Sequence, residues 1–142
     1  MTQTLEFKQS SHLDPALSDP AVIVSNVEKL TGRWVNTNRE TRGIRECLIE
    51  QNGQNLNVNV AGAGDDGAIP WPTASAKVLA NLEEEAGQRT AALAATFDLG
   101  FMRSETYIRI NKGVLVIVLF NTFLDNSGRS NYVTREFFYR PD

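Results

Sequence analysis

The chain has 142 residues, of which 42% are hydrophobic, and carries a net charge of −3 with a pI of about 5.2. That is the length of one ordinary domain with enough apolar material for a core, and the acidic balance excludes the basic footprint of a nucleic-acid binder. The single cysteine, Cys47, excludes an internal disulfide and points to a reducing compartment. Met1-Thr2-Gln3-Thr4-Leu5-Glu6 has neither the basic nor the apolar region of a signal peptide, and the longest apolar run, Val114 to Phe120, is too short to span a bilayer. The expectation is a cytoplasmic domain without a membrane span.

Residues 1–18 are polar and weakly patterned, and read as a loose arm ahead of one domain over 19–142. Asp19-Pro20 resembles a helix start, since Asp caps orphan amides and Pro suits the first helical position. Val22, Ile23, Val27 and Leu30 follow at roughly helical spacing, and Gly32 releases the chain. From there the period becomes two. Trp34 and Asn36 share one face. The polar stretch 37–43 is a loop, and Ile44 to Gln51 a strand with Cys47 and Ile49 opposite Glu46, Leu48 and Glu50. Asn52-Gly53 predicts a hairpin turn with both residues at positive φ. Leu56, Val58 and Val60 then alternate with Asn57, Asn59 and Ala61.

Residues 62–70 read as a flexible loop rich in Gly and Asp, and Trp71 to Leu79 as a strand whose start Pro70 and Pro72 confine to an edge or bulge. Glu83 to Gly87 is a charged turn. Thr90 to Phe101 alternates Leu93, Ala95, Phe97, Leu99 and Phe101 against Ala92, Ala94, Thr96 and Asp98. Glu105 to Ile110, the turn Asn111-Lys112-Gly113, and Val114 to Leu124 follow, the last apolar on both faces. Asp125 to Gly128 turns the chain into a closing strand, Asn131 to Arg140. Eight strands joined by short turns, with no crossover helix, predict an all-β, up-and-down antiparallel barrel with a short N-terminal helix; an open sandwich is the alternative.

Gly32-Arg33-Trp34 after a helix-like segment, the strand run, and Arg135 and Arg140 on the last strand together resemble the lipocalin/calycin superfamily. The resemblance implies an arginine packed over Trp34 to seal one end of the barrel. Gly32 to Asn36, Gly128 to Tyr132 and Arg135 to Arg140 look like a small family of such barrels. That family carries paired cysteines and a Trp-Gly after the third strand. Here Gly62-Ala63-Gly64 to Pro70-Trp71-Pro72 lacks the cysteines, so no disulfide or metal role follows from them.

The resemblance also implies a small hydrophobic ligand in the barrel, fatty-acid-like, isoprenoid or tetrapyrrole-type. Residues for such a site are Trp34, Asn36, Arg42, Trp71, Phe97, Tyr107, Phe120, Arg129, Tyr132, Arg135 and Phe137: aromatics for the wall, arginines for an acidic head. Arg39 and Arg45 could join Arg42 and Arg129 at one rim. No cofactor, metal set or catalytic device is expected. His12, the one histidine, has no placed nucleophile, and Asp65-Asp66-Gly67 and Asp125 to Gly128 lack a full calcium ligand set. Cys47 reads as a small buried hydrophobe. Two other roles stay open. A lipocalin-fold enzyme (isomerase, cyclase or chromophore lyase) would draw its acid or base from Glu46, Glu136 or Tyr107. A packed barrel would instead act through outer aromatics, as a homodimer.

Overall fold

Period-two alternation becomes a closed wall. In the computed structural model, which describes residues 26–80 and 91–141, nine strands follow one 3-10 turn at Asn26–Lys29. They are β1 (Gly32–Asn36), β2 (Ile44–Asn52), β3 (Asn55–Gly62), β4 (Ile69–Pro70), β5 (Ala74–Ala80), β6 (Ala91–Asp98), β7 (Met102–Asn111), β8 (Val114–Phe123) and β9 (Tyr132–Tyr139). The arm 1–18 with His12, the helix start at Asp19-Pro20 with Val22 and Ile23, the turn Glu83 to Gly87 and Thr90 lie outside the described residues. Within them, the expected N-terminal helix amounts to the 3-10 turn alone.

Every pairing is antiparallel. The order β2-β1-β9-β8-β7-β6-β5-β3 closes through the β2–β3 pair, giving an eight-stranded barrel to which β4 is added on β3. Closure leaves no free edge among the eight. Leu56, Val58 and Val60 of β3, Leu93, Ala95 and Phe97 of β6, and Leu115, Ile117 and Leu119 of β8 all face the interior and are buried. Each fully buried Leu, Ile or Phe contributes about 1.5–3 kcal/mol of transfer free energy.

Three details depart from the sequence reading, each for a local reason. The first hairpin turns one residue later than expected: Asn52 pairs with Asn55, so the turn is Gly53-Gln54, with Gly53 alone at positive φ (64°). Glycine in the first central position is the II′ arrangement. Second, β2 is not regular. Its register shifts between Ile44 and Glu46, which makes Arg45 a bulge residue. The bulge reverses the alternation, so Ile44, Cys47 and Ile49 all face inward. Third, the strand expected from Trp71 begins only at Ala74, while Ile69-Pro70, assigned to a loop, pairs with Ala61 and Gly62. Pro70 and Pro72 cannot donate to a ladder, so the chain from 69 to 73 can only skirt an edge.

The two ends of the barrel differ. At one end Trp34 is buried, donates its indole N–H to Leu30 O (2.9 Å), and lies 4.1 Å beneath the Arg140 guanidinium. Arg140 also donates to the carbonyls of Thr31 and Lys29. This end is sealed. At the other end β5 pairs with β3 only from Leu56 to Val58, and the rest of β3 borders β4 and the 63–73 loop. There the wall opens.

Candidate functional site

The open end holds a cavity of about 730 Å³, within the size range of small-molecule sites. Its apolar lining includes Ile69, Trp71, Phe101, Met102 and Leu119; its polar lining includes Thr41, Arg42, Asn121, Tyr132 and Glu136. Three loops contribute, β1–β2, β3–β5 and β6–β7, together with residues of strands β7, β8 and β9.

Trp71 is fixed from both sides. Its backbone N–H donates to Val60 O (2.9 Å), and its ring meets Phe97 edge-on at 5.5 Å. Glu136 reaches inward from β9. Its Oε1 accepts from Thr41 Oγ1 (2.6 Å) and Asn36 Nδ2 (3.2 Å), and its Oε2 from the Ile44 backbone N–H (3.1 Å). Asn36 also donates to Ile44 O and accepts from the Asn38 backbone N–H. A Cβ on Gly43 would lie 2.6 Å from the Glu136 carboxyl oxygens, so any larger residue there would have to push that carboxyl out of its place against the β1–β2 loop. One carboxyl thus anchors the loop that forms one side of the mouth.

Of the candidate residues named from the sequence, Arg42, Trp71, Tyr132 and Arg135 line the cavity. Asn36 and Phe97 lie one layer behind it, supporting Glu136 and Trp71. Arg135 touches the rim, but its guanidinium sits 5.4 Å from the outward Phe137 ring. Trp34 belongs to the sealed end. Tyr107, Phe120 and Phe137 stand on the outer face, because β7, β8 and β9 present the alternate residues inward. Arg129 is engaged elsewhere: it pairs with Asp125 (2.7 Å) and stacks on Phe123 at 4.1 Å and Phe101 at 5.7 Å. Hydrogen bonds from Ser127, with Arg129 alongside, hold the Asp125 carboxyl below its ordinary range.

The four arginines do not meet at one rim. Arg39 and Arg45 border a separate depression with Val35 and Glu46. Among the three acid–base candidates, Glu46 forms an exposed ion pair with Arg33 (3.0 Å) and Tyr107 faces outward, which leaves Glu136 at the cavity. Cys47 is buried and free, and burial pushes its thiol up to about 12. The bulge at Arg45 breaks the regular spacing that would have set Arg45 and Cys47 on one face.

Sequence reasoning missed Leu119, Asn121, Met102 and Ile69 as lining residues. The first two sit in a run that is apolar on both faces, where periodicity alone could not mark the inward set. No protein-family model, curated protein or solved structure matches the chain. Among the described residues no helix is long and apolar enough to cross a membrane, and no three His, Cys, Asp or Glu side chains gather as metal ligands.

Proposed function

We propose that this barrel is a calycin-like binding protein that holds a small, largely apolar molecule in its open end. The observation that carries the reading is the cavity itself: about 730 Å³, walled by Trp71, Ile69, Phe101, Met102 and Leu119, with a few polar groups converging on it. The Arg140–Trp34 seal at the opposite end supports the calycin resemblance. The unpaired Cys47 supports a cytoplasmic setting. A binding role is favoured over catalysis because both oxygens of Glu136, the acid–base candidate at the cavity, already serve the loop.

The two tryptophans make the test direct. Trp34 is sealed away and Trp71 lines the cavity. Titration with a hydrophobic fluorescent probe or a medium-chain amphiphile should shift Trp71 emission saturably, and Trp71→Phe should abolish the shift while leaving the Trp34 signal. An unchanged response in Trp71→Phe would place binding elsewhere and overturn the reading.

A second reading, self-association, has its own observation. Phe120 (51% exposed) and Val133 (59% exposed) are register partners on the outer face of β8 and β9, near exposed Phe137 and Tyr139. A homodimer through this face would appear as a doubled mass in sedimentation.

A further inference from the structure

Four polar side chains are buried among the described residues: Asn36, Ser104, Thr106 and Asn121. Two are satisfied by the protein. Asn36 is bonded through both its amide nitrogen and its oxygen, and Thr106 donates to Ala95 O at 2.7 Å. The other two are not. Ser104 Oγ and Asn121 Oδ1 have no hydrogen-bond partner, although Ser104 is 0% exposed and Asn121 4% exposed. A buried polar atom without a partner costs about 1–3 kcal/mol, so native proteins rarely keep one without a use for it.

The two orphans are neighbours. Ser104 on β7 and Asn121 on β8 are register partners, both facing inward. Asn121 lines the cavity, and Ser104 lies beside it under the covered part of the wall. The protein therefore keeps an unused, solvent-shielded acceptor on a residue that lines the cavity, with an uncommitted hydroxyl on its register partner just behind the wall.

We propose that Asn121, with Ser104 beside it, is the head-group subsite of the cavity, and that it selects a ligand with a neutral hydrogen-bond donor such as a hydroxyl. The inference rests on the cavity being the binding site. A ligand hydroxyl donates to Asn121 Oδ1 once that side chain turns toward the cavity, and Ser104, buried behind it, supports Asn121 rather than touching the ligand. A carboxylate has no proton to donate, leaves Oδ1 unmatched, and approaches the Glu136 carboxyl in the same cavity. This proposal departs from the expectation of an acidic head held by arginines: of Arg39, Arg42, Arg45 and Arg129 only Arg42 lines the cavity, and Arg135, which also borders it, turns its guanidinium toward the outward Phe137 ring.

The test is calorimetric titration of the full chain with 1-decanol and with decanoate at pH 8, in the wild type, Asn121→Leu and Ser104→Ala. The expected result is that decanol binds at least about ten-fold more tightly than decanoate. Asn121→Leu should then weaken decanol about three- to ten-fold, as loss of one neutral hydrogen bond implies, and leave decanoate unchanged. Without ligand, the thermal midpoint of Asn121→Leu should hold or rise, because an orphaned polar atom is removed; a purely structural asparagine would give a fall. Ser104→Ala, the milder change, should weaken decanol in the same direction. If decanoate binds as tightly as decanol, or if both variants bind decanol like the wild type, the subsite is overturned and the cavity reading survives. If neither compound binds the wild type, both fall.

Discussion

At Glu136 three donors converge on one carboxyl, and the residue's role follows from that count. Glutamine in its place would aim an NH2 group at a donor, either Thr41 and Asn36 or the Ile44 N–H. Glu136→Gln should therefore destabilise the protein by about 1–3 kcal/mol in denaturant titration and loosen the β1–β2 loop first, seen as faster amide exchange at Ile44. Unchanged exchange there would contradict the anchoring role. Cys47 gives a second prediction at this scale. With its thiol pushed up to about 12 by burial, it carries almost no thiolate at neutral pH. It should react with an aromatic disulfide reagent only as fast as the protein unfolds, and at once in denaturant.

The turns show how elements are set. Between β7 and β8 the pair Asn111–Val114 closes on Lys112 and Gly113, both at positive φ (52° and 81°). That is the I′ arrangement, which favours Asn at the first position. Lysine there bears part of the ~1–2 kcal/mol left-handed penalty. Lys112→Asn should raise stability by roughly 0.5 kcal/mol or more on that basis, read as a higher denaturant midpoint with unchanged slope.

The same scale explains what the sequence could and could not convey. Strand identity was legible because Leu56-Val58-Val60 and Leu93-Ala95-Phe97 alternate cleanly with polar or small partners. The Arg45 bulge was not, because it exists only in the register of β2 against β3. Nor was the site's polar geometry. Glu136 meets residues 92 to 100 positions away in the chain, and Ser104 meets Asn121 across two strands. A one-dimensional pattern gives no hint of which polar residues such pairings will satisfy and which they will orphan.

At the scale of the molecule, the barrel has a sealed end and an open one. Arg140 over Trp34 closes the first, and the departure of β5 from β3 past Val58 opens the second. A barrel that had only to be stable would be filled from end to end; this one keeps a cavity of about 730 Å³ and an unpartnered polar atom on Asn121, one of the residues that line it. The account's central claim is that this space is a binding site. The most direct measurement is native mass spectrometry of the protein as purified from cells, followed by organic extraction of whatever it carries. The account predicts a stoichiometric small molecule, mainly apolar with a hydroxyl-type head, that is lost when Asn121 is replaced by Leu. A clean unliganded mass that stays unliganded after incubation with cell lipid extract would contradict it.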